Sequence, residues 1–272
     1  MVCWKRWVAV FESIKRYSTF IDRTNPLTKI VAAICLFIAV VLIHDPNHLF
    51  HLLLWMLLLF LVMSGIELKY QALLIAVTVL TGLVSSAYMI LYGEGDTTLF
   101  EFGLVHITEE SVVRGLHITM RGLTLSFFGS LIIFTTRLTD VFYSMMQQGK
   151  VKPKYAYSFM AAIRMLPVIV NEFITLRRAR KVRRSLVSRK HIGGLRGFTS
   201  TVVILLSQSI RRAHRLAVAM ESKGFDDGAR TYYRQTRFSG YDVCFIALIA
   251  VGLIASYYSG QWITPFGTSD AR

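Results

Sequence analysis

Acidic residues and cysteines are scarce in this sequence. Its 272 residues include 16 Asp and Glu against 31 Lys and Arg, a formal net charge of +15. The three cysteines, Cys3, Cys35 and Cys244, lie far apart, so they indicate neither a disulfide framework nor a metal site. A charge of this sign and size points to anionic lipid, nucleic acid or an acidic protein partner.

The sequence also lacks the common signatures of an enzyme. No G-x-x-x-x-G-K-[ST] segment is present, so the chain is not its own ATPase by the P-loop route, and no nucleophile–base pair stands out. His44, His48 and His51 suggest metal ligands, but Asp45-Pro46-Asn47 interrupts any helix there, and we interpret them as polar loop residues. We expect no catalytic residue, metal site or cofactor in this chain.

Long hydrophobic runs are plentiful instead. Hydrophobic residues make up 54% of the chain, in continuous rather than alternating runs. Continuous runs of about 18 or more residues are typical of helices that cross a bilayer. The sequence therefore predicts an all-α, polytopic membrane protein with about five spans: Leu27–Ile43, His48–Gly65, Gln71–Tyr92, Val112–Thr136 and Tyr241–Tyr258.

The charges between these runs predict the orientation of the chain. Basic residues favour the cytoplasmic side. Residues 1–29 carry six Lys and Arg, residues 137–240 carry 21, and the loop 93–111 carries none but has five acids. We expect the N-terminus and the basic insert 137–240 in the cytoplasm, the acidic loop outside, and residues 241–272 to hold the last span and an external C-terminus. Residues 1–29 include WKRWVAVFESIKRY, which is either a short interfacial helix or a frayed tail.

The fourth run carries three glycines at intervals of seven residues, Gly115, Gly122 and Gly129. This spacing returns to nearly the same face of a helix, and small residues there let a second helix approach closely. The stripe is either a contact for a separate membrane subunit or ordinary packing within the chain, and the second interpretation is the simpler one.

The basic insert has the pattern of two long helices with cationic ends. A short amphipathic helix over Arg137–Gly149 comes first, and the long helices follow over Tyr155–Ser188, kinked or divided at Pro167, and Leu195–Lys223. Gly224 suits the position just beyond a helix end. The basic ends fit a belt on anionic lipid or a docking surface for an acidic groove. Nucleic acid is disfavoured, because no aromatic residue lies between Leu176 and Gly197.

Four fragments along the chain carry a family resemblance. FIDRTNPLTKI is similar to an "LDPRTKL" segment, with Asn25 where Pro often precedes Arg. FTTRLTDVFYSMMQQG resembles a Thr-rich start of a first cytoplasmic helix, and AAIRMLPVIVNEFITLRRARKVRR resembles "LRFIP…E…I..A…RG". SIRRAHRLAVAMESKGF resembles "LRRAEELALAMEARGF". Together they resemble the transmembrane T component of energy-coupling factor (ECF) transporters, the CbiQ-like family.

The resemblance implies a non-catalytic scaffold of an ATP-driven importer of vitamins or metal ions. Two P-loop ATPase subunits would hold ATP and Mg²⁺, and a separate membrane S subunit would bind the substrate. The other interpretation is a basic membrane anchor that binds anionic lipid or nucleic acid and has no role in transport.

The resemblance also implies two docking motifs of the form X-Arg-X, one near the C-terminal end of each long helix. Counted from the Arg164–Pro167 signature, the first falls on Val182, Arg183 and Arg184, and the second on Ser222, Lys223 and Gly224. Ser188-Arg189-Lys190 is a second possible frame for the first motif. The chain departs from the family pattern at Arg184, in place of Gly, and at Lys223, in place of Arg.

Overall fold

The computed structural model describes residues 17–92, 98–102, 105–186, 195–226, 228, 232 and 234–262, with backbone alone at 92, 98–102, 105–107, 109, 110, 184–186 and 195–197. The predicted N-terminal interfacial helix lies outside these residues. A short 3-10 helix, Phe20–Arg23, precedes eight α-helices in the described part: α1 Pro26–Leu42, α2 Pro46–Met63, α3 Leu68–Tyr92, α4 Glu109–Thr135, α5 Leu138–Gln147, α6 Pro153–Leu186, α7 Leu195–Ser222 and α8 Gly240–Trp262. The prediction of a helical, polytopic membrane protein is confirmed.

Two short strands add to the predicted helical architecture. β1, Thr98–Phe102, and β2, Val105–Thr108, pair antiparallel within the segment expected to be an acidic loop. Both strands are rich in β-branched and aromatic residues, which favour extended backbone. Thr108 then caps α4: its Oγ1 accepts from Ser111 N at 3.2 Å, and Ser111 Oγ accepts from Thr108 N at 3.1 Å. This reciprocal cap starts α4 three residues before the predicted start at Val112.

The chain divides into two compact units. The membrane unit holds residues 12–144 and 236–272, and the helix-pair unit holds residues 145–235 together with residues 1–11, which lie outside the described part. The basic insert expected at 137–240 encloses the whole of 145–235 and a few residues of the membrane unit on either side.

Five described helices are long and apolar enough to cross a membrane, namely α2, α3, α4, α6 and α8. Four of them are predicted spans. The first predicted span, α1, has 17 residues and is shorter than these five helices. At 1.5 Å per residue it is about 26 Å long, which is close to the thickness of a bilayer core. The fifth long apolar helix is α6. None of the residues in its most apolar stretch is buried.

The core of the membrane unit forms around α2. One side of this helix is fully buried, through Leu49, Leu52, Met56 and Phe60. Phe60 stacks on Phe127 of α4 with ring centroids 5.8 Å apart. α3 also packs on α4 and leaves most of its apolar side chains exposed, as expected for a helix that faces lipid.

A buried polar junction ties the start of α1 to three other helices of the membrane unit. Asn25 caps α1: its Oδ1 accepts from Leu27 N at 3.1 Å and from Ser144 Oγ of α5 at 2.5 Å. The backbone N–H of Asn25 donates to Asp242 Oδ1 of α8 at 2.6 Å. One turn further on, Lys29 is 1% exposed, and its Nζ donates to the Thr135 carbonyl at the end of α4, at 2.8 Å. These bonds satisfy helix ends that packing would otherwise leave unpaired.

We predict that Lys29→Met destabilises the protein by about 1–3 kcal/mol, because the Thr135 carbonyl loses a charged donor in a buried place. The measurement is the thermal unfolding midpoint of the purified full chain in detergent. Lys69→Met is the matched control, because Lys69 lies exposed at the start of α3 and loses the same charge. Equal midpoints for the two variants would show that the junction does not contribute.

Candidate functional site

The long helix α6 runs without a break from Pro153 to Leu186, with Pro167 inside it. Division at Pro167, one of the two outcomes expected from the sequence, does not occur. Apolar residues fill its first half, and Arg177, Arg178, Arg180, Lys181 and Arg183 follow in the second. The helix therefore changes from an apolar surface to a cationic one along its length.

Three side-chain contacts pair α6 with α7 in antiparallel directions. Tyr157, near the start of α6, meets Phe225, just beyond the end of α7, edge to face at 5.6 Å between ring centroids. In the middle, Arg212 pairs with Glu172 through a direct ion pair. Toward the end of α6, Arg180 donates to Ser200 Oγ at 2.8 Å and to Thr201 Oγ1, near the start of α7. The direction of this pairing is not predictable from the helical periodicity of either segment.

The first predicted docking motif lies on the last described turns of α6. Val182 is 60% exposed, and Arg183 is exposed as well. The backbone of Arg184 is helical, but its side chain lies outside the described part. The alternative frame at 188–190 lies wholly outside it. The chemistry available at this end is therefore an exposed guanidinium on a continuous helix.

The second predicted motif is the end of α7, and its backbone is a Schellman turn. Gly224 has φ +72°, the left-handed conformation that glycine adopts without strain. Phe225 N donates to the Met220 carbonyl at 3.0 Å, and Gly224 N donates to the Glu221 carbonyl at 2.9 Å. Lys223 is exposed at the turn, one residue beyond the last helical residue, Ser222. The prediction that Gly224 follows the helix end is confirmed.

The three glycines of α4 do not share one environment. A methyl group on Gly115 would meet Ile90 Cγ1 at 2.6 Å and the Ser86 carbonyl at 3.3 Å, so α3 packs closely there. A methyl on Gly122 or Gly129 would meet nothing within 4 Å. Gly115 is thus part of the internal packing of the membrane unit, and the other two glycines leave open space for a neighbour.

A tighter small-residue face lies on α8, which the sequence analysis missed. Gly252, Ser256 and Gly260 recur every four residues and are all buried. A methyl on Gly252 would lie 2.2 Å from Trp55 Cδ1, and a methyl on Gly260 would lie 2.1 Å from His48 Cδ2. Ser256 Oγ also donates to the His48 carbonyl at 2.9 Å. In the sequence these residues form a small-x-x-x-small repeat, a pattern that predicts a close helix contact and that lets α8 approach α2 closely.

We predict that Gly252→Ala destabilises the protein by about 1–3 kcal/mol, because the added methyl overlaps the Trp55 ring in a packed helix contact. Gly122→Ala is the control: the same methyl meets open space and raises helix propensity, so we expect a gain of about 0.5–1 kcal/mol. Thermal unfolding midpoints of the two variants provide the measurement. A harmless Gly252→Ala change would contradict the close approach of α8 to α2.

The three clustered histidines have ordinary partners. His44 Nδ1 contacts the Leu42 carbonyl at 2.8 Å, and His51 Nδ1 contacts the Asn47 carbonyl at 2.8 Å. His48 lies 3.2 Å from an Asp45 oxygen. His44 belongs to the connection between α1 and α2, but His48 and His51 lie on α2, because Pro46 begins that helix rather than preventing it. No group of three or more His, Cys, Asp or Glu with metal-site geometry occurs among the described residues.

The architecture is that of a polytopic helical membrane protein with an antiparallel, basic helix pair. The family model of CbiQ, described as cobalt transport protein, matches residues 17–233. This chain belongs to that family.

The chain is also similar to several curated proteins, each named "Energy-coupling factor transporter transmembrane protein EcfT". The protein from Macrococcus caseolyticus is 27% identical over 254 residues, covering 88% of this chain and 94% of its own length. The one from Limosilactobacillus fermentum is 28% identical over 253 residues, with coverages of 89% and 94%. The Staphylococcus aureus protein is 27% identical over 257 residues, with coverages of 89% and 95%. The resemblance to the T component of ECF transporters is confirmed.

Proposed function

We propose that this protein is the non-catalytic membrane scaffold of an ATP-driven ECF-type importer. In this proposal two P-loop ATPase subunits bind and hydrolyse ATP with Mg²⁺, and a separate membrane subunit binds the vitamin or metal ion that is imported. The scaffold passes motion from the ATPases to that subunit through α6 and α7. The observation that carries the proposal is the antiparallel pairing of these two helices.

Antiparallel pairing separates the two cationic ends. Arg183 lies toward the end of α6 that contacts the start of α7, whereas Lys223 follows Met220 and precedes Phe225, which contacts Tyr157 at the other end of α6. The 26 residues from Tyr157 to Arg183 correspond to about 40 Å of helix. A separation of this size lets two subunits each receive one end without colliding, which supports one scaffold for two ATPases.

The two ends differ in the chemistry that they offer a partner. Arg183 presents a planar guanidinium, which can form two parallel hydrogen bonds to one carboxylate. Lys223 presents a point charge on a flexible stem, held next to the rigid backbone of a Schellman turn. We infer that the first end is anchored more strongly than the second.

The charge asymmetry of the loops supports an orientation. We propose that the helix-pair unit and the N-terminus lie in the cytoplasm, where the ATPases are, and that the C-terminus lies outside. The glycines of α4 that face open space, Gly122 and Gly129, are candidates for contact with the substrate-binding subunit.

Arg183→Glu and Lys223→Glu test the docking role. We expect each variant, purified from native membranes, to lose most of the ATPase subunit that docks at the altered end, so that the ratio of ATPase to scaffold falls from two toward one, since breaking a hydrogen-bonded charge pair at an interface costs about 2–5 kcal/mol. Quantitative mass spectrometry of the purified material gives the ratio of ATPase to scaffold, and substrate uptake by the cells gives the functional consequence.

Arg178→Glu is the matched control for both variants. Arg178 is exposed on the same helix, five residues before Arg183, and undergoes the same reversal of charge. Full retention of the ATPases by the control, with loss in the two variants, is the expected pattern. If ATPases and transport persist in all three variants, Arg183 and Lys223 are not the docking residues.

Lys223→Arg gives a prediction of opposite sign. An arginine at this position adds a charge-assisted hydrogen bond at the second end. We therefore expect the binding free energy of the ATPase at that end to become more favourable by about 1.5 kcal/mol, which raises its affinity roughly tenfold. The measurement is the resistance of the ATPase–scaffold complex to dissociation by salt. Lys154→Arg, at an exposed lysine in the first turn of α6, is the control and should leave the complex unchanged.

A further inference from the structure

An open cavity of about 380 Å³ lies midway along the helix pair, between α6 and α7. Two residues of α6 and four of α7 supply its polar lining: Glu172, Thr175, Gln208, Arg211, Arg212 and Arg215. The residues from α7 follow a spacing of three and four, so they share one face of the helix. Three arginines and one glutamate give the cavity a formal charge of +2.

The arginines differ in how far the protein satisfies them. Arg212 pairs with Glu172, which neutralises that charge. Arg211 donates through one Nη to Ser207 Oγ at 2.7 Å, a neutral partner on its own helix. Arg215 forms no hydrogen bond or ion pair with the part of the chain that the structure describes. The charges of Arg211 and Arg215 therefore have no counter-charge among the described residues, and guanidinium groups bind phosphate through paired, charge-assisted hydrogen bonds.

Glu172 adds a second requirement. Its Oε1 accepts from Arg212, but its Oε2 is buried and has no hydrogen-bond partner among the described residues. A buried carboxylate oxygen without a donor is costly, so a ligand that brings an N–H or O–H group to it would be favoured. A ligand that suits the cavity therefore carries two groups: a phosphate that binds the arginines and a hydrogen-bond donor that binds Glu172.

The surroundings of the cavity indicate that this ligand is a lipid. Large apolar side chains are exposed within one helical turn of the polar residues, including Phe173 at 37%, Ile210 at 60% and Val218 at 50%. The helix α6 is also apolar enough to lie in a membrane, with none of its apolar window buried. The phosphate of a lipid brings acyl chains that can cover these apolar side chains, whereas a free phosphate leaves them exposed.

We propose that this cavity binds the headgroup of a glycerophospholipid with a hydrogen-bond donor beyond its phosphate, such as the ammonium of phosphatidylethanolamine or the glycerol hydroxyls of phosphatidylglycerol. Arg211 and Arg215 hold the phosphate, and Glu172 Oε2 accepts from the donor. The site is independent of docking at Arg183 and Lys223.

Phosphatidylethanolamine and phosphatidylcholine provide the sharpest comparison. Both carry a phosphate and the same net charge, but the choline nitrogen has no N–H to donate. The full-length protein is reconstituted in bilayers that contain equal amounts of the two lipids with matched acyl chains, then extracted in mild detergent. Native mass spectrometry counts the lipids that stay bound. We expect phosphatidylethanolamine to be retained in preference to phosphatidylcholine.

Two variants assign this preference to the cavity. Arg215→Gln should reduce retention of both lipids about fivefold, since one arginine near a phosphate surface contributes about 1 kcal/mol. Glu172→Gln keeps an oxygen for Arg212 but replaces the free oxygen with an amide, so it should remove the preference between the two lipids. Circular dichroism of each variant establishes that the helices are intact, and Arg215, being exposed, is the substitution that leaves the helix contact unaltered.

Arg178→Gln is the control for non-specific attraction. It removes one exposed charge from α6 outside the cavity, and we expect lipid retention and preference to stay as in the unaltered protein. Equal loss in Arg178→Gln and Arg215→Gln would overturn the proposal in favour of a diffuse basic surface. Equal retention of the two lipids by the unaltered protein, or their displacement by inorganic phosphate, would overturn the assignment to a headgroup with a donor.

Discussion

The fold depends on one constraint: polar groups placed among apolar helices must find partners inside the protein. The junction of Asn25 and Lys29 meets this constraint at the point where the chain leaves the membrane unit and returns to it. Asn25 bonds to Ser144, the last residue before the helix-pair unit, and to Asp242 in the first turn of α8. The chain therefore bonds to Asn25, the cap of α1, both just before it enters the helix-pair unit and shortly after it leaves that unit.

Features set by local sequence were predictable. The spans follow from apolar runs whose length is fixed by bilayer thickness, and the end of α7 follows from Gly224, because only a left-handed residue completes that turn easily. In each case a few neighbouring residues carry the whole physical reason, so no knowledge of the tertiary structure is required.

Features set by the partner helix were not predictable. The glycine stripe of α4 has the spacing of a contact face, yet only Gly115 packs against another helix, because the position of α3 decides which glycine is covered. One of the close helix contacts involves Gly252 of α8, whose partner Trp55 lies nearly two hundred residues away in the chain. The antiparallel direction of α6 and α7 likewise depends on three contacts between distant residues, which no periodicity reveals. The docking role of Arg183, Arg184 and Lys223 remains a prediction from sequence alone.

The pairing of α6 with α7 explains why each helix carries its charge where it does. The apolar first half of α6 lies along the second half of α7, and the basic second half of α6 lies along the apolar first half of α7, since Arg180 meets Ser200 while Tyr157 meets Phe225. Each segment of the pair thus combines one apolar and one cationic surface along its whole length. Under the two proposals above, this surface rests on the headgroup layer and both ends stay accessible to soluble partners. The ion pair of Glu172 with Arg212 lies where the two patterns cross and links α6 to α7 there.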